Sequence, residues 1–334
     1  MSKEKWLITG GCGFIGTNLV NHLLKKDVNT NIRVLDNLSV GTKKDLQDVN
    51  IFKECLLGNI KDNISGVQFV EADIREYDAC LKACAGIDAV IHLAANTGVA
   101  PSVENPRKDM EVNVIGTLNM LEASRQQGVD KFIYASSGAP LGEVDPPINE
   151  EKAPKPVSPY GASKLAGEAY NSVYYRTYGV NTVSLRFGNV YGPRSRNKDS
   201  VIAKFIKQAL NGESLEIYGD GNQTRDFIFI DDLINAIVLS LKTNIGGEVF
   251  QIATYKETTV NEIASKIKMI VEEDTENLVN IIFGKPRTGD MKRNYSDITK
   301  ARSILGFEPE YDLFTGLKKT FEYFQSLIIA SSGN

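Results

Sequence analysis

The chain has 334 residues, 42% of them hydrophobic, and sets 38 lysines and arginines against 42 acidic residues for a formal net charge of −4. That is the composition of a well-cored protein of one large or two ordinary domains; no basic stripe answers the phosphates of a nucleic acid, and no apolar run approaches membrane-spanning length. The four cysteines (Cys12, Cys55, Cys80, Cys84) lack the spacing of a metal finger, and two histidines (His22, His92) are too few for a histidine-built metal site, so no metal is expected.

Met1-Ser2-Lys3-Glu4-Lys5 runs straight into an apolar strand, Trp6-Leu7-Ile8, which leaves no room for a signal peptide and points to a cytoplasmic protein. Phe14, Ile15, Leu19, Val20, Leu23 and Leu24 then fall at helical spacing, so the glycines between them sit on a strand-to-helix turn. Such a turn is a place to lay a pyrophosphate. Gly10 permits the bend, Gly13 lets a ligand approach bare backbone, and Gly16 lets the helix lie against the sheet, with the amides at Phe14 and Ile15 facing the anion. No Lys-Ser/Thr pair follows, which disfavours a nucleoside-triphosphate loop. A second strand, Ile32-Arg33-Val34-Leu35, ends at Asp36 about twenty residues after the last glycine, where a carboxylate accepts from an adenosine ribose 2′-hydroxyl. A carboxylate there repels a 2′-phosphate, so the expected cofactor is NAD; the plainer reading of Asp36 is a solvated strand end.

Residues 37–65, beginning at Asn37, are polar and without sustained period, a long excursion from the adenosine end with a short helix around 43–49. The third strand, 66–70, leads to Asp73 and Ile74; Asp73 is placed to reach an adenine amino group or, equally well, to cap a helix over 76–85. Cys80 and Cys84, one turn apart on that helix, read as packing residues. Residues 88–93 form an almost wholly apolar strand, the mark of a parallel strand buried on both faces. It ends at His92, read as a structural histidine, and at Leu93-Ala94-Ala95, small enough to let a nicotinamide pass. One long helix is expected over 103–127. Met110, Val114, Leu118 and Leu121 form one stripe and Val112, Ile115 and Met120 lie off it, which is more apolar surface than one buried face requires. A homodimer contact and burial within the monomer both account for this.

A fifth strand, 131–135, delivers Ser136 and Ser137 at its carboxyl end, the edge beyond which open parallel sheets hold their ligands. A proline- and acid-rich covering loop precedes a helix from 158 to 178 that carries Tyr160 and Lys164 four residues apart, on one face. A sixth strand, 180–187, continues the strand-helix alternation, which predicts an α/β fold: a doubly wound parallel Rossmann sheet over residues 1–190. Residues 191–330 follow a less regular order, with helices near 201–210, 231–241, 260–272 and 313–327. They are read as a smaller C-terminal α/β lobe that binds substrate, with a possible return of the chain to the first domain.

A phenol with an ordinary pKa near ~10 is a poor base at neutral pH. An ammonium one helical turn away and the positive nicotinamide of oxidised NAD favour its phenolate. Tyr160 is then placed to take a proton from a substrate hydroxyl, Ser137 to orient that hydroxyl, and Lys164 to hold the nicotinamide ribose.

With these residues in place the chain resembles, over nearly its whole length, the extended short-chain dehydrogenase/reductases of the nucleotide-sugar epimerase and dehydratase family. The resemblance is carried by Thr9 to Gly16, Asp36-Asn37-Leu38, His92 to Ala95, Ser136-Ser137, Ser158 to Lys164, Arg186 to Pro193 and Gly221 to Phe227. It implies a nucleotide-sugar substrate, with Asn189 and Arg225 on its diphosphate, Arg287 and Asp290 on the nucleotide, and Tyr218 with the Val201 to Lys204 stretch lining the nucleoside pocket. A planar guanidinium suits phosphate on physical grounds as well. The chain departs from the family's pattern at the sugar. Dehydratases and decarboxylating members usually place Asp or Glu after the catalytic hydroxyl, whereas Gly138 and Ala139 follow Ser137 here, and Pro140-Leu141-Gly142 replaces the usual Val-Tyr-Gly. The expected reaction is therefore plain oxidation and re-reduction: C4 epimerisation of a UDP-hexose (UDP-glucose, UDP-N-acetylglucosamine or UDP-glucuronate) through a 4-keto sugar. Another nucleotide-sugar-modifying member (a 2-epimerase, dehydratase or decarboxylase) stays open. A net reductase is disfavoured by Asp36, and a non-catalytic NAD-binding regulator has no need of Ser137, Tyr160 and Lys164 together.

Overall fold

The computed structural model describes residues 4–198, 200–286 and 292–332. The first half alternates strand and helix: β1 (Lys5–Thr9), α1 (Phe14–Lys26), β2 (Asn31–Asp36), α2 (Lys43–Gln47), β3 (Lys53–Glu54), β4 (Val67–Glu71), α3 (Tyr77–Ala83), β5 (Ala89–His92), α4 (Val99–Glu104), α5 (Pro106–Met110), α6 (Gly116–Gln126), β6 (Lys131–Ser137), α7 (Pro159–Tyr178) and β7 (Asn181–Phe187). The second half holds β8 (Asn189–Tyr191), α8 (Val201–Leu210), β9 (Leu215–Tyr218), β10 (Thr224–Arg225), β11 (Phe227–Phe229), α9 (Ile230–Lys242), β12 (Glu248–Ile252), β13 (Thr258–Thr259), α10 (Val260–Asp274), β14 (Ile281–Gly284) and α11 (Leu313–Ser332).

Eight strands form one sheet in the order β12-β7-β6-β5-β1-β2-β4-β3, and every neighbouring pair is parallel. Successive residues of a strand point to opposite faces, so Leu7, Leu35, Val90 and Phe132 pack under α3, α6 and α7, while Ile8, Val34, Ile91 and Ile133 pack against α1 and continue into the core of the second lobe. Each such fully buried side chain stabilises the fold by about 1.5–3 kcal/mol. Since β2 lies on one side of β1 and β5 on the other, the crossovers diverge there and leave a crevice beyond the carboxyl ends of β1 and β5.

The chain past residue 190 returns to this sheet. α9 packs on α1 and the sheet, and β12 extends the sheet beyond β7 with Phe250 opposite Leu185. The polar excursion contains a second edge strand, β3, paired with β4. The single helix expected over 103–127 is instead interrupted twice. Pro106 lacks an N–H and starts α5 with Asn105 as its cap, whose Oδ1 accepts from Lys108 N at 3.0 Å; residues Glu111–Ile115 then form a π-helical turn before α6. Of the two apolar sets on this segment, Met120 and Leu121 are fully buried while Met110 and Ile115 remain 43% and 40% exposed. Cys80 and Cys84 are packed in the core, as expected of packing residues. Among the described residues no helix is long and apolar enough to cross a membrane.

Candidate active site

The glycine turn is shaped by contacts that no side chain tolerates. Gly10 has φ +69°, and a Cβ there would stand 2.8 Å from Ala94 N; a Cβ on Gly16 would stand 2.4 Å from Gly10 O. Gly13 is the N-cap of α1. No side chain caps that helix start and no acid lies in its first turn, so the amides at Phe14 and Ile15 are left for an anion. Leu93 and Ala94 dock on the same turn, with Leu93 N donating to Thr9 O at 3.2 Å and Ala94 N to Thr9 Oγ1 at 3.2 Å. Ala95 follows Ala94 at the β5 end of the crevice. These residues form a backbone cradle that fits a dinucleotide pyrophosphate. Lys198 was not singled out from sequence; its Nζ lies 5.5 Å from the Phe14 ring centre and donates to Val190 O at 2.7 Å, bringing a cation toward the start of α1.

Asp36 is buried at the tip of β2 rather than solvated. Its carboxylate accepts from Cys12 N at 2.9 Å and from Leu38 N at 2.8 Å, which ties the second strand to the glycine turn and leaves lone pairs for ribose hydroxyls. Leu38 takes a left-handed φ of 58° at this position, and Asn37 Nδ2 donates to Asp73 Oδ2 at 2.9 Å. Asp73 does not cap α3, whose N-cap is Glu76. It accepts from Arg75 N and pairs with the Arg75 guanidinium at 2.8 Å, which holds its carboxyl down at about 2. The Ile74 side chain turns inward and packs where a Cβ on Gly116 would lie, 2.5 Å from Ile74 Cδ1, so any role in the adenine pocket falls to its backbone.

Ser137, Tyr160 and Lys164 converge at the carboxyl end of β6. Ser158 caps α7 through Gly161 N (3.1 Å), and Pro159 occupies the first turn, which fixes Tyr160 one turn ahead of Lys164. The Ser137 hydroxyl accepts from Ala139 N at 3.2 Å and lies close enough to the Tyr160 phenol to favour its ionised form. Lys164 is 3% exposed; its Nζ donates to Ala135 O at 2.8 Å and stands 5.9 Å from the Tyr160 ring centre. Burial pushes the Tyr160 phenol up to about 12 and the Lys164 ammonium down to about 8. The chain alone thus keeps the phenol protonated, and the ammonium does not by itself produce the phenolate that the residue spacing suggests; the positive charge of oxidised NAD is the other contribution.

Around this trio lies a polar network that sequence spacing did not single out. Glu168 accepts from Ser136 Oγ (2.5 Å) and from Arg186 Nε and Nη2 (2.8 and 2.7 Å), and both partners of this ion pair are almost fully buried. The π-helical turn presents Asn113, whose Nδ2 reaches Asn96 O, Asp109 Oδ1 and Ser163 Oγ at 2.9, 2.9 and 3.2 Å. His92 is a satisfied structural histidine between Thr9 Oγ1 (2.8 Å) and Thr117 Oγ1 (3.2 Å), held down at about 3 by burial.

The second lobe gathers part of the expected substrate set. Asn189 N donates to Asp226 O at 2.8 Å, which sets Asn189 opposite Phe227 of β11, two residues past Arg225 at the end of β10, and Arg225 Nη1 donates to Thr224 O at 2.7 Å. Lys204 Nζ donates to the Tyr218 hydroxyl at 3.1 Å and lies 3.6 Å from Glu216 Oε2. Val201, half-buried, begins α8. Tyr218, Gln223, Phe283 and Lys292 line an open cavity of about 840 Å³. Arg287 and Asp290 lie outside the described residues. Pro140 and Leu141 are buried, so the altered loop is absorbed in packing, whereas a Cβ on Gly138 would meet nothing within 4 Å.

A dinucleotide cradle at the switch point of a doubly wound sheet, beside a Ser-Tyr-Lys cluster, defines a pyridine-nucleotide oxidoreductase-type fold. The model of the NAD dependent epimerase/dehydratase family matches residues 6–253, and the chain belongs to that family; its cofactor is NAD. It is 36% identical to the UDP-glucose 4-epimerase of Mycolicibacterium smegmatis over 96% of this chain and 98% of the relative. Among solved structures it resembles UDP-N-acetylglucosamine 4-epimerase from Methanobrevibacter ruminantium in complex with UDP-N-acetylmuramic acid (TM-score 0.86, 32% identity, covering 98% of this chain and 100% of that one). It also resembles UDP-glucuronic acid 4-epimerase from Bacillus cereus in complex with UDP-glucuronic acid and NAD (TM-score 0.85, 34% identity, covering 97% and 99%).

Proposed function

We propose that the chain is an NAD-dependent 4-epimerase of a UDP-hexose, with Tyr160 as the acid-base group. NAD, when bound, supplies reversible two-electron redox chemistry at the sugar C4. Ser137 fixes the 4-hydroxyl, Tyr160 removes its proton as the ketone forms and returns it on re-reduction, and Lys164 supplies the fixed positive charge beside the phenol while holding the nicotinamide ribose. Asp36 and Asn37 take the adenosine end, and Asn189 and Arg225 the diphosphate, with Lys204 and Tyr218 at the nucleoside. The observation that carries this reading is the meeting of Ser137, Tyr160 and Lys164 at the sheet edge with Gly138 next in the chain, where open space rather than a carboxyl group follows the serine. Elimination of water needs a further acid or base at the sugar; simple oxidation and return does not.

The exposed Met110 and Ile115, together with Tyr170 and Val173 of α7 at 37% and 45% exposure, support a homodimer built on these helices. Four unpaired cysteines suit a reducing, cytoplasmic setting. Incubation with UDP-glucose, UDP-N-acetylglucosamine and UDP-glucuronate, with products read by NMR, tests the assignment. A 4-epimer from at least one of them is expected, and its loss in Tyr160→Phe; no epimer from any, or an active Tyr160→Phe enzyme, sinks it.

A further inference from the structure

On the reading that Tyr160 and Lys164 carry the reaction, we propose that Asp109 is a positioning residue, the counter-ion that α5 sets against Lys164 to keep the ammonium charged inside the protein. Asp109 has no exposed surface. One of its oxygens accepts from Asn113 Nδ2 at 2.9 Å, and the other is buried without a hydrogen-bond partner. A carboxylate in that state is costly unless a cation compensates it. α5 packs directly on α7, and the amide that holds Asp109 also reaches Ser163 Oγ, on the residue next to Lys164.

The groups that face Lys164 separate into those already neutralised and one that is not. Glu168, one turn further along α7, has both oxygens taken by Arg186 and one shared with Ser136. Tyr134 of β6, whose ring centre is 4.9 Å from the ammonium, is pushed up by burial and stays neutral. His92 of β5 is held neutral by burial, and Tyr160 stays protonated for the same reason. Of the two carboxylates whose charge acts on Lys164, Glu168 and Asp109, Asp109 is the one with no ion-pair partner among the described residues. Burial drives Lys164 toward the neutral amine, and Asp109 opposes it. The same charge disfavours the Tyr160 phenolate, so removing it moves both titrations to lower pH.

Asp109→Asn deletes the charge and keeps the oxygen to which Asn113 donates. In the NAD-loaded enzyme carrying 13Cε-labelled lysine, with the Lys164 signal assigned by its loss in Lys164→Arg, the Lys164 titration is expected to fall by about one unit. The alkaline limb of kcat should move with it, since activity is lost as pH rises through the Lys164 pKa. Near neutral pH kcat should drop no more than about twofold, and the loss should grow to about tenfold near pH 9, with KM changed less than about twofold. A Lys164 titration that does not move overturns the proposal, whatever happens to kcat. Asp109→Ser is read in the same way, and failure of both variants to fold would assign the acid to the framework and overturn it too. The lysine titration needs no turnover, so it is independent of the Tyr160→Phe result on which the catalytic reading stands.

Discussion

The cofactor end and the substrate end of this molecule are built from different materials. Between β1 and β5 the cradle is backbone: glycines whose missing Cβ atoms would strike Ala94 N and Gly10 O, bare amides at the start of α1, and one buried carboxylate that ties them together. At the ends of β9 and β14 the cavity is lined largely by side chains, Tyr218, Gln223, Phe283 and Lys292 among them, and Tyr218 is held in turn by Lys204. Backbone sites tolerate few substitutions and recognise what dinucleotides share. Side-chain sites are adjustable, which is what the proposed role of this cavity in holding a sugar nucleotide requires.

The largest expected effect separates chemistry from cofactor retention. Tyr160→Phe should reduce epimerisation by a hundred- to ten-thousandfold while NAD, measured after denaturing the purified protein, stays at wild-type occupancy. Loss of both together would mean that the phenol belongs to the cradle and that the division drawn above is wrong. Next comes the buried frame beneath the trio. Arg186→Met leaves Glu168 buried with only a hydroxyl partner and should cost about 3–5 kcal/mol of stability in urea unfolding. Arg293→Met, which breaks an ion pair of comparable geometry with Glu257 on an exposed surface, should cost far less, because solvent screens that pair. Equal losses would show that burial is not what separates the two pairs.

Much of the cofactor end was legible because its signals are local. Gly10, Gly13, Gly16, Asp36, Tyr160 and Lys164 announce themselves by spacing along a single turn or strand. The supporting groups have no such spacing. Asp109, Asn113 and Ser163 meet through a π-helical turn that shifts the side-chain register by one residue, and nothing in Met110-Glu111-Val112-Asn113 announces it. Glu168 and Arg186 lie on different elements and meet only because α7 crosses β6 and β7. The place of β12 beside β7 is set by a long crossover from β7 through the second half of the chain rather than by the sequence of β12 itself.

A smaller effect tests the substrate end. Arg225→Gln should raise KM for the sugar nucleotide about ten- to a hundredfold, the worth of charge-assisted hydrogen bonds to phosphate, with kcat nearly kept. A fall in kcat at constant KM would move Arg225 from binding to the reacting centre.

The smallest expected effect lies at the joint between the two ends. The Arg196 guanidinium pairs with Asp45 of α2, Asn18 Nδ2 donates to Pro193 O at 3.0 Å, and Gly41 lies so close over the glycine turn that a Cβ would stand 2.1 Å from Cys12 O. The second lobe therefore holds down the loop that covers the cradle. Asp45 keeps other partners without Arg196, because its second oxygen accepts from Thr42 N (2.9 Å) and Thr42 Oγ1 (2.7 Å) in a capping box. Arg196→Ala should thus cost less than about 1 kcal/mol of stability and speed NAD release only a few-fold. Asp45→Ala also removes the carboxylate half of the capping box, its bonds from Thr42 N and Oγ1, and should cost about 1 kcal/mol more. Equal effects of the two substitutions would mean that the cap is idle and the ion pair alone holds the loop, and the joint would then belong with the side-chain half of the molecule.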